Sequence, residues 1–174
     1  MKEILSERLV LRPMCTDYLM TTHEYASDKE TCRYMVYFPN DSIEDTMYYL
    51  TDAEAEFTKE RPSYYEMAVF CGDIHIGAVS LYLVEERTRA ELGWTLNKKY
   101  HGHGYATEAA GALIGFAAEE LGIKTFIAHC DTENTASRRV MEKLGMKLVS
   151  EHGGRKNKLS DEERREYMFE MHLT

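Results

Sequence analysis

The stretch Tyr100-His101-Gly102-His103-Gly104-Tyr105-Ala106-Thr107 constrains this chain more than any other. Before it, Arg89–Leu96 alternates apolar and other residues with the period of a half-buried strand. After it, Ala106, Ala109, Ala110, Leu113, Ala117 and Leu121 recur at helical spacing. The two glycines therefore fall where a strand hands over to a helix. The first N–H groups of a helix have no partner within it, and the helix dipole adds partial positive charge there. Residues without side chains let a phosphate approach those donors.

Three kinds of loop share this outline. A P-loop requires Lys and Ser or Thr after its last glycine, and no Lys follows Gly104. A dinucleotide fingerprint requires Gly or Ala three residues after the second glycine, where this chain has Thr107. The segment His101-Gly102-His103-Gly104-Tyr105-Ala106 resembles the third, the Gln/Arg-x-x-Gly-x-Gly/Ala pyrophosphate loop of the GNAT superfamily of N-acetyltransferases, with His101 in the Gln/Arg place. A glycine pair alone is equally a tight turn before a helix, so further evidence must come from elsewhere in the chain.

At 174 residues and 44% hydrophobic, the chain fits a single domain, 1–174, with a substantial core. It has no apolar run long enough to span a bilayer, and Met1-Lys2-Glu3-Ile4 lacks the apolar stretch of a signal peptide. Cys15, Cys32, Cys71 and Cys130 are scattered, without paired spacing, which fits a reducing cytoplasm and neither a zinc nor a disulfide framework. A net charge of −9 argues against nucleic acid and for a cationic small molecule or basic peptide as partner.

In chain order, Leu9–Pro13 reads as a strand and Asp17–Ser27 as a helix. Ser42 caps a second helix running to about Lys59, whose exposed face carries Asp52, Glu54 and Glu56. Tyr65–Phe70, Ile74–Val84 and Arg89–Leu96 form a meander. After the glycine loop and its helix come a strand at Thr125–Cys130, a short helix ending at Gly145 and a strand at Met146–Glu151. A loop at Gly153–Asn157 and a last strand at Glu166–Leu173 complete the chain. The order β-α-α-β-β-β-α-β-α-β-β is a mixed α/β sheet, mostly antiparallel and flanked by helices.

Four blocks extend the resemblance over nearly the whole chain: Ser6–Pro13, Ala90–Trp94, the glycine loop with Ala106-Thr107-Glu108-Ala109, and Asn134–Gly145. Together they are similar to the GNAT subfamily that includes the ribosomal-protein N-terminal acetyltransferases. The resemblance implies a GNAT-like acyl-CoA N-acyltransferase fold, acetyl-CoA as donor and a primary amine as acceptor, in a monomer or homodimer that meets neither nucleic acid nor membrane. It further implies that the pantetheine arm lies along the strand bearing Glu91–Leu96. Backbone groups near Thr95 and Leu96 would bond the arm or thioester, and those of His103, Gly104, Tyr105, Ala106 and Thr107 the pyrophosphate; His101 and Gly102 also belong to the coenzyme-binding loop, with phosphate contact or solvent exposure as the readings of the His101 and His103 side chains.

The chemistry needs a proton acceptor for the ammonium, and a donor for the departing thiolate can assist. Glu91 is the candidate acceptor, placed by alternation away from one apolar layer. Its other reading is a structural carboxylate paired with Arg12 or Arg89. Many GNAT enzymes carry a Tyr acid seven residues after the equivalent of Asn134; this chain has Met141, which donates no proton. Ser137 is the remaining hydroxyl, with helix N-terminal bonding as its other reading, and Asn134 can cap the helix and bond the arm. His101 and His103 lack a third ligand for a metal, and Lys98 and Lys99 serve either the coenzyme phosphates or the surface. The missing Tyr also admits a catalytically weak acyl-CoA-binding or regulatory module.

Overall fold

The computed structural model describes residues 3–174; Met1 and Lys2, on which part of the signal-peptide argument falls, lie outside the described residues. Its elements are β1 (Ile4–Leu5), β2 (Leu9–Pro13), α1 (Leu19–Ala26), α2 (Ile43–Glu56), β3 (Tyr64–Cys71), β4 (Ile74–Val84), β5 (Arg89–Leu96), α3 (Tyr105–Leu121), β6 (Thr125–Asp131), α4 (Thr135–Lys143), β7 (Lys147–Arg155) and β8 (Arg164–His172). They build an eight-stranded sheet in the order β1-β2-β3-β4-β5-β6-β8-β7. The mixed α/β fold is the one read from the sequence, with the two-residue β1 added.

Strand alternation divides the side chains between two cores. One face packs Leu11, Met67, Val79, Leu81 and Phe126 against Leu113 of α3 and Met141 of α4. The other packs Ala68, Phe70 and Ala78 against Tyr25 of α1 and Leu50 and Ala53 of α2. Among the described residues all strand pairings are antiparallel except one. β5 and β6 run parallel and are in register only from Arg89↔Thr125 to Glu91↔Ile127. Beyond Glu91 they separate, so Leu92–Leu96 and Ala128–Asp131 face a gap in the sheet.

Local chemistry sets the boundaries. Ser42 caps α2 through a reciprocal capping box, its Oγ accepting the Asp45 N–H at 3.1 Å and Asp45 Oδ2 accepting the Ser42 N–H at 3.1 Å. α2 stops at Glu56 rather than near Lys59. Glu56 is buried, not exposed: its carboxylate turns back to accept the Ser63 N–H at 2.5 Å and pairs with Lys59. Gly153, Gly154 and Arg155 are also not loop. They continue β7 through an irregular register between His152 and Arg155, with Gly154 at φ 91°. The glycines there mark a bulge in a strand rather than its end.

Candidate active site

A cavity of about 920 Å³ follows the gap and is lined from both faces of the sheet. On the α3/α4 side lies the glycine loop. Gly102 and Gly104 take φ of 81° and 80°, in the left-handed region, and Gly104 is the N-cap of α3. A Cβ on Gly102 would meet nothing within 4 Å, and one on Gly104 only Arg8 Nη2 at 3.6 Å. The first helical bond beyond the cap is donated by the Glu108 N–H to the Gly104 carbonyl at 3.1 Å. The amides of Tyr105, Ala106 and Thr107 therefore precede the helical ladder. Open space above bare backbone donors suits a phosphate.

His101 lines the cavity, and its side chain is engaged within the fold. Its Nε2 bonds the Leu96 carbonyl at 2.8 Å, and because a carbonyl only accepts, Nε2 carries the proton. The ring staples the loop to the end of β5. His103 is exposed, stacks on Tyr105 with centroids 5.4 Å apart and does not line the cavity. Lys98 pairs with Asp28 and Glu30, and Lys99 with Glu24, which engages both away from the loop. The basic group beside the loop is Arg8, whose guanidinium sits 4.7 Å over the Tyr105 ring and bonds Glu108 at 2.7 Å.

α4 begins across the gap. Asn134 Oδ1 accepts the Ser137 N–H at 3.1 Å, so Asn134 is the cap and Ser137 its amide partner. The Ser137 hydroxyl oxygen also accepts the Trp94 indole N–H at 3.3 Å. An indole nitrogen only donates, so the Ser137 O–H proton remains free for another acceptor. Met141 is fully buried in the core beneath α4, and Val140 lines the cavity at that turn.

The opposite side of the gap is polar. Glu91 pairs with neither Arg12, which holds Glu3, nor Arg89, which holds Glu85 and Glu170. Its partner is His129 of β6, whose Nδ1 lies 2.9 Å from Glu91 Oε1. This bond raises the imidazole pKa against the opposing effect of burial. Register makes the pair: Glu91 is opposite Ile127, and His129 is two residues further on the same face. Burial pushes the Cys130 thiol, which also lines the cavity, up to about 11.

The cavity thus gathers Glu91, Thr95, Leu96, His101, Gly102, Gly104, Tyr105, Ala106, Thr107, Asn134 and Ser137, leaving out His103, Lys98 and Lys99 of the site residues singled out from sequence. Sequence reasoning missed His129, Glu66, Tyr82 and the Arg155–Glu166 ion pair, which also line it. A signal existed for two of them. Glu66 interrupts an otherwise apolar strand, and His129 shares the polar face of Thr125–Asp131. Among the described residues, no group of three or more His, Cys, Asp or Glu side chains is placed to hold a metal ion, and no helix is long and apolar enough to cross a membrane.

A sheet opened between two parallel strands, with a bare helix start on one side and a carboxylate–imidazole pair on the other, forms a cleft suited to an extended, phosphate-bearing ligand. Residues 8–147 match the model of the acetyltransferase (GNAT) domain, and the chain belongs to that family. The uncharacterized N-acetyltransferase YnaD of Bacillus subtilis is 30% identical over 147 residues, 83% of this chain and 82% of that protein. A GNAT-family acetyltransferase from Bacillus anthracis superposes with a TM-score of 0.86 at 27% identity over 98% of each chain. An acetyltransferase from Salmonella typhimurium that modifies the N-terminal serine of ribosomal protein L7/L12 superposes with a TM-score of 0.86 at 19% identity, covering 99% of this chain and all of that one, and so shares the fold.

Proposed function

We propose that this protein, acting as one domain, transfers the acetyl group of acetyl-CoA to a primary amine held beside it in a ternary complex. The observation that carries the reading is the gap beyond Glu91↔Ile127, which joins the glycine cradle on one face to the Glu91–His129 pair on the other. Acetyl-CoA supplies an activated thioester. The amides at the start of α3 fit its pyrophosphate, Arg139 and Lys143 line the same cavity with positive charge, and the unpaired edge of β5 at Leu92–Leu96 offers backbone groups to its arm.

The remaining roles follow from the hydrogen bonds. With Nδ1–H directed at Glu91, His129 presents Nε2 as the proton acceptor, and the carboxylate stabilises the imidazolium that forms. Glu91 therefore acts through His129 rather than alone. Ser137, its oxygen already accepting from Trp94, directs its free proton toward the leaving sulfur. A thiol pKa raised to about 11 gives Cys130 little thiolate at neutral pH, which favours direct attack over an acyl-cysteine.

The test is thiol release from acetyl-CoA with a panel of amines, in the parent and in Glu91→Gln. Loss of the carboxylate should lower turnover tenfold or more and shift the acidic limb of the kcat/KM profile to lower pH, because the imidazole loses the partner that raises its pKa. Tight binding of acetyl-CoA with no amine-dependent thiol release would overturn the transferase reading in favour of a binding module.

A further inference from the structure

Glu66 is a second carboxylate in the same cavity, and the proposed mechanism gives it no task. It lies on β3, 4% exposed, and lines the cavity beside Tyr49, Ser80 and Tyr82. Tyr82 donates to Glu66 Oε2 at 3.3 Å, and Tyr49 of α2 lines the cavity beside it. Tyr64 stacks on Tyr82 with centroids 5.4 Å apart and gives its hydroxyl to Asp52. Among the described residues no Lys, Arg or His is ion-paired with Glu66. A buried carboxylate that has phenols but no cation around it is incompletely compensated.

Register places this site relative to the reacting end. Glu66 is opposite Ser80, and Tyr82 is opposite Glu91, so Glu66, Ser80, Tyr82 and Glu91 share one face. Two strand spacings and a two-residue offset put the Glu66 and Glu91 backbones about 12 Å apart. Both carboxylates open into one cavity, and the aromatic walls between them suit the methylene chain of an aliphatic acceptor.

Resting on the transferase reading, we infer that Glu66, with Tyr49 and Tyr82, forms a subsite for a second cationic group of the acceptor, so that the substrate is an amine carrying another ammonium several bonds from the one acetylated. The site takes the distal ammonium as a charge-assisted partner of Glu66, with the phenol rings as cation-compatible walls. Burial raises the Glu66 carboxyl to about 7, and the neighbouring Tyr49 and Tyr82 hydroxyls oppose that rise. The groups facing it are Tyr49 from α2, Ser80 and Tyr82 from β4, and Tyr25 and Tyr64, whose own titrations lie well above it. Ammonium binding therefore draws a proton out of Glu66 near neutrality.

The experiment has two arms. In the first, kcat/KM is measured for hexylamine and hexamethylenediamine, then for shorter and longer pairs, with the parent, Glu66→Gln and Glu66→Asp. The parent should favour the diamine by about tenfold or more, the worth of one charge-assisted contact. The diamine-to-monoamine ratio should collapse toward one in Glu66→Gln and recover partly in Glu66→Asp. In the second arm, the diamine is titrated calorimetrically into the protein without donor, in two buffers of different ionisation enthalpy. The parent should release a fraction of a proton on binding, and Glu66→Gln none. A parent that treats both amines alike, or a preference that survives Glu66→Gln, overturns the subsite while leaving the transferase reading intact. Glu66-dependent diamine binding with no acetylation of any amine supports the subsite and overturns the reaction.

Discussion

At the scale of single residues, the buried groups make the firmest predictions. Glu66 takes up its proton more readily folded than unfolded: its folded pKa is about 7 because of burial, against about 4.3 in an unfolded chain. Its contribution to stability is thus fully present below pH about 4.3 and is lost as pH rises through about 7. Glu66→Gln removes that loss. Relative to the parent, the variant should gain about 2 kcal/mol in unfolding free energy between pH 5 and pH 8, measurable by denaturant melts at both values. A difference that does not change with pH would show that the Glu66 pKa is not raised by folding. Met141 gives the opposite lesson. Because it is fully buried beneath α4, Met141→Tyr should overpack the core and cost about 1–3 kcal/mol without supplying an acid. Ser137→Ala should retain donor affinity and lose about ten- to hundredfold in single-turnover rate; an unchanged rate would leave Ser137 as a helix-start residue alone.

At the scale of elements, the strand-to-helix junction can be tested without breaking it. A valine at Gly104 would be strained at φ 80° whatever the ligand, since a β-branched residue rarely adopts that angle. Asparagine tolerates the left-handed region, and its Cβ would meet only Arg8 Nη2 at 3.6 Å. Gly104→Asn should therefore keep its melting temperature within a few degrees while acetyl-CoA affinity falls at least tenfold, read by calorimetry. Equal affinity would remove the loop from the donor site. This junction was legible in the sequence because its signals are local: alternation before it, helical periodicity after it, and two glycines between. The Glu91–His129 pair was not, because residues 38 apart in sequence meet only through the β5–β6 register. For the same reason Gly153 and Gly154 read as loop, although Arg164–His172 pairs across them and draws them into β7.

At the scale of the whole molecule, the gap couples stability to the donor. A ligand that pairs with β5 and spans to α4 binds only the folded chain, so acetyl-CoA at a hundred times its Kd should add about 2.7 kcal/mol. Amide exchange locates the effect: protection should rise along Leu92–Leu96 and Ala128–Asp131, and change little in β3 and β4, which are already paired along their length. Uniform protection would place the donor elsewhere. Mechanically, the sheet is two stiff plates, β1 to β5 and β6 with β8 and β7, sharing a seam only three residue pairs long. Bending about that seam would widen or narrow the mouth of the cleft.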